Sequence, residues 1–332
     1  MSHGKTIVVI DAISRYSQQL CKEQALPGAE LLFYTDEAQL EANLPKADVI
    51  ITSTRGVTPD FLARAEKCRF IIKLGTGVNN ICTAEASRKG VWVGNVAGQN
   101  ALSVAEYAVS LILASCRHIN IVHDRLIQKN EWMKSTIRDF CCELSEKTVG
   151  IVGFGNIGRH AASLLKGFAC DILYYDVAAA DRDTEEALNA RYCPLDELFA
   201  ASDVVSLHLP LNEQTHYIVN ARTIGLMKED AVLVNTGRGG LIDEAALLKA
   251  LQAGKFLGVA LDTHENEPVL ADDPLKEIER VIFSPHTGAG TKESMNRVIR
   301  SAFININAVL QEGEPKEWKN IVNATIQSRC KE

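Results

Sequence analysis

The sequence predicts an α/β protein built from two parallel-sheet halves. Short β-branched and apolar runs alternate with helical segments along nearly the whole chain. The apolar runs are near-continuous rather than alternating, as strands covered by helices on both faces require. The pattern also occurs twice, with a long helical region from about residue 100 to 130 as the joint. A chain of 332 residues exceeds one ordinary core, which again points to two domains.

The first half holds the strand candidates "TIVVID", "ELLFYT", "DVIITS", "FIIKLG" and "VWVGN", between Thr6 and Asn95. Helix-like stretches separate them. In "TPDFLARAEK", Thr58 is placed to cap the helix and Pro59 to open its first turn. "VAEYAVSLILASC", Val104 to Cys116, is interrupted by Glu106 and too short for a membrane span, so it reads as a buried helix. The second half restarts with "TVGIVGFG", "DILYYD", "DVVSLHLP", "AVLVNTG", "FLGVALDT" and "VIFSPH". "TKESMNRVIRSAFININAVLQEG", Thr291 to Gly313, predicts a final long helix.

Hydrophobic residues at 46% and charged residues at 23% are an ordinary globular balance. A net charge of -7 speaks against a general nucleic-acid binder, which would show a basic face, but leaves room for a local cationic pocket. Nine cysteines, with no C-x-x-C pair and with Cys141 next to Cys142, predict reduced, buried thiols rather than a disulfide framework. "MSHGKTIVVIDAIS" leads into a strand run without a signal-peptide layout. A cytoplasmic protein without membrane partners is expected.

"VGIVGFGNIGRHAASLLKGFACDILYYD" runs from Val149 to Asp176. A strand leads into Gly153-x-Gly155-x-x-Gly158, then a helix opening at Asn156 and Ile157, then a strand ending in an acid. The first glycine makes the turn, the second lets backbone approach a pyrophosphate, and the third lets helix and strand pack closely. The helix N-terminus offers unpaired N–H groups to the phosphates. Asp176 stands where a carboxylate holds the ribose hydroxyls of NAD and repels a 2′-phosphate. The expected cofactor is NAD, with Arg182 as the nearby cation that speaks for NADP.

"LVNTGRGGLID" places Arg238 between glycines directly after an apolar run. "ALDTHENEP" supplies Asp262 and Glu267, and "IFSPHTGAGT" supplies His286. All follow strand runs, and ligands of open parallel sheets bind at the carboxyl ends of strands. Moving a hydride from a carbinol carbon needs a base for the hydroxyl proton, and the reverse needs an acid. Histidine suits both near neutrality. A carboxylate on its other ring nitrogen fixes the tautomer. An arginine grips a carboxylate and polarises a carbonyl. His208, His216 and His264 lack metal-ligand spacing, so no metal is expected and His208 reads as a packing or cofactor-adjacent residue.

"GQNALSVAEYAV", "VGIVGFGNIGR", "SLHLPLNEQTHYIVN", "NTGRGGLIDEAALLKAL", "ALDTHENEP" and "SPHTGAGT" stand in the order typical of the D-2-hydroxyacid dehydrogenases, and the chain resembles that family over nearly its whole length. The resemblance implies a Rossmann NAD-binding domain, residues 100–290, inserted into a flavodoxin-like substrate domain, residues 1–99 plus 291–332. It implies a catalytic set of Arg238, Glu267 and His286, and a nicotinamide-side acid at Asp262. His208, Pro210, Thr236 and Gly288 join the glycine loop as expected cofactor contacts. "KLGTGVNN", with Lys73, Gly75, Thr76 and Gly77, falls on the family's backbone-amide loop for the substrate carboxylate. A homodimer through the long helices is implied as well.

The chain departs from the family pattern at Asn79 and Cys82, where acids are common, and at His264, where an aromatic is frequent. Lys73 and Arg55 are either ligands of a second anionic group or solvated loop charges. The substrate is therefore expected to be a small (R)-2-hydroxy acid or its 2-oxo partner, either 3-phosphoglycerate-like or of the hydroxypyruvate and glyoxylate kind. The competing readings are a non-catalytic NAD-sensing scaffold, similar to corepressors of this fold, and a phosphite-type anion dehydrogenase.

Overall fold

The computed structural model describes residues 5–325. The expectations for residues 1–4 and 326–332, Cys330 included, lie outside the described residues. The chain forms two compact units, Met1–Asn100 with Thr291–Glu332, and Ala101–Gly290.

In the first unit, β1 (Thr6–Val9), β2 (Glu30–Phe33), β3 (Val49–Thr52), β4 (Phe70–Lys73) and β5 (Trp92–Gly94) form a five-stranded sheet. Its order is β2-β1-β3-β4-β5 and every pairing is parallel, the flavodoxin-like arrangement. Along β1, Ile7 and Val9 enter one core while Val8 enters the core on the other face. Burial on both faces is why these strands are apolar at every position. The helix Pro59–Arg64 begins as the sequence predicts, with Thr58 Oγ1 accepting the Phe61 N–H at 3.2 Å. The last long helix is Lys292–Glu312, capped by Thr291 and stopped by Gly313 at φ 89°.

The second unit contains β6 (Thr148–Val152), β7 (Asp171–Tyr175), β8 (Ala190–Tyr192), β9 (Val204–Leu207), β10 (Val232–Asn235), β11 (Gly258–Leu261) and β12 (Val281–Phe283). They form a seven-stranded parallel sheet in the order β12-β11-β10-β9-β6-β7-β8. Counted from β6, this is the Rossmann order with one further strand beyond β11. β8 is absent from the sequence reading. It is three residues long at the sheet edge and reads "ARY", with one fully buried position.

The long helical region is not one helix. Ala101–Arg117 and Ile119–Lys129 are separate and bend by 60° at His118, whose φ of 47° is left-handed. No glycine or proline marks the break, so periodicity alone runs through it. The first of these helices buries Val104, Ala105, Ala108, Leu111 and Ile112, while the second buries no residue. Among the described residues no single helix is long and apolar enough to cross a membrane. The expectation of uniformly buried thiols is corrected: Cys82, Cys141 and Cys142 are half-exposed, because they lie on connecting segments rather than on core faces of strands or helices.

At the β1/β3 switch point of the first sheet, buried Asp11 receives four hydrogen bonds. Ser53 N–H donates at 2.6 Å, Thr54 N–H at 3.0 Å, Thr54 Oγ1 at 2.6 Å and Arg55 N–H at 2.7 Å. Burial pushes the Asp11 pKa up, but the hydrogen bonds from Thr54, Ser53 and Arg55 outweigh it and the carboxyl sits below its ordinary value. A lowered carboxyl stabilises the fold above the unfolded value and loses that contribution as pH falls through the folded one. Asp11→Asn is expected to remove about 1–3 kcal/mol at pH 7. The gap from wild type, read from urea midpoints, should narrow below about pH 4.

Candidate active site

In the second unit, β10, β11 and β12 lie side by side in parallel register, with Asn235 opposite Leu261 and Leu261 opposite Phe283. Loops leaving these strands start from neighbouring points at the same sheet edge. Arg238 follows β10, Glu267 follows β11 and His286 follows β12.

His286 and Glu267 meet. His286 Nδ1 lies 3.0 Å from Glu267 Oε2, and the other oxygen, Oε1, accepts the His264 N–H at 3.2 Å. Partial burial pushes the Glu267 pKa up, yet the hydrogen bonds from His286 and His264 N–H outweigh it, so the carboxyl is held below its ordinary value. An ionised Glu267 makes Nδ1 the protonated nitrogen of His286 and leaves Nε2 for solvent or a ligand. His286 itself has φ 52°, and its N–H donates to Asp262 O at 2.8 Å.

Asp262 is 1% exposed. Its Oδ1 accepts from Ser284 Oγ at 2.7 Å and Thr287 N–H at 2.9 Å, and its Oδ2 accepts from Gly288 N–H at 2.9 Å. Gly288 is itself buried against this carboxylate, 3.0 Å from where its Cβ would lie. The carboxylate thus works inside the chain, fixing the turn that carries His286.

Arg238 is half-buried in an extended conformation. Its Nη1 donates to Gly237 O at 2.6 Å, and among the described residues no carboxylate pairs with it. Two residues that sequence reasoning missed hold it. Buried Asn235 donates Nδ2–H to Arg238 O at 2.9 Å and accepts the Gly237 N–H at 3.0 Å, closing the loop around the arginine. Gly239 packs so tightly that a Cβ would meet His264 C at 1.9 Å and O at 2.0 Å. The signal for Asn235 was its place at the end of an apolar strand; the Gly239 contact is tertiary and has no local signal.

The glycine loop fits a dinucleotide. Gly153 is at φ 100°, Gly155 faces open space, and a Cβ at Gly158 would meet Gly153 O at 2.1 Å. The helix Asn156–Leu165 starts at Gly155 with no side-chain cap, so its first N–H groups remain for an anion; Ile157 follows, half-buried. Asp176 directly follows β7, with Oδ2 accepting the Phe154 N–H at 2.7 Å, which ties it to the loop and keeps acceptor capacity on both oxygens. His208 Nε2 lies 3.0 Å from Ser206 Oγ and Nδ1 3.4 Å from Thr236 Oγ1. Burial of the ring pushes the His208 pKa down to about 4, so it is neutral near pH 7. Pro210 is exposed, and its carbonyl accepts Thr215 Oγ1 at 2.6 Å.

The remaining candidates belong to the first unit. Lys73 ends β4, is 8% exposed, and donates from Nζ to Asn80 Oδ1 at 3.1 Å. Gly75 and Gly77 are half-buried and Thr76 exposed. The Gly75 carbonyl accepts the Val96 N–H at 3.1 Å and that of Thr76 accepts Asn95 Nδ2 at 2.8 Å. Arg55 makes two hydrogen bonds to Glu37, at 2.7 and 3.1 Å, and lies 4.8 Å from the Tyr34 ring centroid.

Residues 109–288 match the family model described as the D-isomer specific 2-hydroxyacid dehydrogenase, NAD binding domain. The chain is 37% identical to the hydroxypyruvate reductase of Thermotoga maritima, across 80% of this chain and 85% of that one. It is 37% identical to the D-3-phosphoglycerate dehydrogenase of Methanocaldococcus jannaschii, across 87% of this chain but 54% of that longer one. A solved structure of D-lactate dehydrogenase from Aquifex aeolicus, complexed with NAD and lactic acid, has 28% identity and a TM-score of 0.79, covering 96% of this chain and 99% of that one. The chain belongs to the D-isomer specific 2-hydroxyacid dehydrogenase family. It is an NAD-dependent oxidoreductase of 2-hydroxy acids.

Gly239→Ala tests the packing around Arg238. A backbone shift of about 1 Å at this point is expected to lower kcat/KM by ~10²-fold. NADH affinity, read by fluorescence titration, should remain close to that of the unaltered protein, because the glycine loop is untouched.

Proposed function

We propose that this chain interconverts a small 2-oxo acid of the hydroxypyruvate or glyoxylate kind and its (R)-2-hydroxy acid. His286 acts as the acid–base group, Glu267 as its partner, and Arg238 as the ligand of the substrate carboxylate and carbonyl oxygen. The observation that carries this reading is the 3.0 Å contact of His286 Nδ1 with Glu267 Oε2.

Gly153, Gly155, Asn156, Ile157 and Gly158 would hold the pyrophosphate and Asp176 the ribose hydroxyls, which favours NAD over NADP. His208, Pro210, Thr236 and Gly288 would line the same cofactor. NADH held there would supply the hydride for C2 of the oxo acid. In that direction His286, held by Glu267, gives its Nε2 proton to the carbonyl oxygen. In the reverse direction the same nitrogen takes the hydroxyl proton. Arg238 polarises the carbonyl, and Asp262 keeps the His286 turn in place. In the first unit, the Gly75–Gly77 backbone is proposed to bind the substrate carboxylate.

Both cations proposed for a second anion already have partners, Glu37 for Arg55 and Asn80 for Lys73. This favours a substrate with one anionic group. Phosphohydroxypyruvate is the second reading, supported by the identity to the phosphoglycerate enzyme.

The test is NADH oxidation with hydroxypyruvate, glyoxylate, pyruvate and phosphohydroxypyruvate. Turnover is expected with one of the first two. His286→Ala should cost 10²–10⁴-fold, about the contribution of a positioned acid–base group. Glu267→Gln should lower kcat/KM for reduction with NADH affinity unchanged, since the ring loses the carboxylate that orients it. Tight NADH binding without turnover on any acid would replace this reading with the NAD-sensing scaffold. Glu37→Gln, which releases Arg55, is expected to raise the preference for phosphohydroxypyruvate over hydroxypyruvate. An unchanged ratio would remove Arg55 from the substrate site.

We also propose a homodimer. The helix Ile119–Lys129 and the segment after it expose Ile119, Ile127, Trp132 and Phe140, with Trp132 at 77%. Large apolar side chains left exposed within one stretch of chain support an association face there. Light scattering should give twice the chain mass, reduced to one by Trp132→Glu with Ile127→Glu.

A further inference from the structure

We propose that Cys116 and Cys142 are a redox pair that closes to a disulfide when the protein meets a hydroperoxide. Cys116 stands in the last turn of the helix Ala101–Arg117, and Cys142 lies on the segment that leads into β6. A backbone hydrogen bond joins them directly, Cys142 N–H to Cys116 O at 3.0 Å. That bond puts the two Cα atoms no more than about 7 Å apart, within disulfide reach. The two thiols also interact electrostatically, each shifting the other, as sulfurs on neighbouring side chains do.

The two thiols differ in the way such chemistry needs. Cys116 is 1% exposed, and its thiol is pushed up by the bond to Cys142 and by burial. Cys142 is half-exposed. The hydrogen bond from Cys116 outweighs partial burial and, with Lys147 and Arg117 nearby and Asp203 opposing, brings Cys142 down to about 7. Cys142, the thiol that reaches solvent, is the nucleophile, and the buried Cys116 beside it is the resolving partner. Cys141 is differently placed: burial raises its thiol pKa, only partly offset by the nearby Arg117.

The Cys142 thiolate attacks a peroxide oxygen, the O–O bond breaks, and an alkoxide or hydroxide leaves, giving a sulfenic acid. The Cys116 sulfur then attacks that sulfur, the S–O bond breaks, and water leaves with the thiol proton. Two electrons pass from the thiols to the peroxide. The loop closed by this bond contains the helix Ile119–Lys129 with Trp132 and Phe140. The bond therefore staples the base of that apolar segment to the core helix.

The experiment uses the full chain with NAD bound, treated with hydrogen peroxide, alkylated and digested without reductant. The expected product is a Cys116–Cys142 cross-linked peptide, about 2 Da below the sum of its reduced parts and lost on adding dithiothreitol. It should persist in Cys141→Ser. Alkylation of both thiols, advance of Cys142 to the sulfinic acid without a cross-link, or a Cys141–Cys142 product would each overturn the proposal. None of these readouts depends on the substrate.

Discussion

The buried carboxylate of Asp262 is the constraint on which the candidate active site rests. A charge removed from water is costly unless hydrogen bonds replace its solvent. Here Ser284 Oγ and the N–H groups of Thr287 and Gly288 do so, and all three belong to the turn after β12. The carboxylate therefore dictates the path of that turn. It also offsets the strain of His286, a non-glycine residue at φ 52°, where left-handed backbone costs roughly 1–2 kcal/mol. Once the turn is fixed, the neighbouring β11 places Glu267 within reach of the His286 ring. The geometry of the pair thus follows from a carboxylate that bonds to neither side chain of the pair.

A second constraint meets the first at Gly239. The Arg238 loop can lie against His264 and Glu265 only because position 239 has no Cβ. His264 in turn gives its N–H to Glu267 and its Nε2–H to Ser284 O at 3.0 Å. It stacks on Phe283, with ring planes 10° apart. A histidine thus fills the place where the family resemblance expected another aromatic. It keeps the stacking and adds a hydrogen bond between the loops that carry Glu267 and His286. Three successive parallel strands are joined at their carboxyl ends by packing, backbone bonds and one ring.

Much of this was legible in the sequence where the cause is local. The glycine loop could be read because turn, close approach and helix start occupy six consecutive residues from Gly153 to Gly158. Thr58, Thr291 and Gly313 could be read because a cap acts within one turn of its helix. Arg238, Glu267 and His286 could be read as strand-end residues, and the parallel order of β10, β11 and β12 brings their loops to one edge. What could not be read is long-range or locally unmarked. His118 turns left-handed without a glycine, so the helical pattern hid the break. β8 has too few apolar positions to signal a strand and exists by pairing with β7. Asp11 bonds a loop more than forty residues away, and Cys116 meets Cys142 across a helix and a loop.

The exposure of the His286–Glu267 pair bears on how it works under the proposed reading. Its side chains are 46% and 41% exposed. An ion pair so open to water contributes only about 0–1 kcal/mol, because solvent screens it. The fold therefore does not supply a strong electrostatic interaction in advance; it supplies position. Both oxygens of Glu267 have donors, His264 N–H and His286, and the His286 backbone is held by Asp262. A substrate held at His286 would exclude water, the local dielectric would fall, and the same 3.0 Å contact would strengthen. A pair built this way is weak when the site is open and effective when it is covered, so the proposed proton transfer would be coupled to substrate binding.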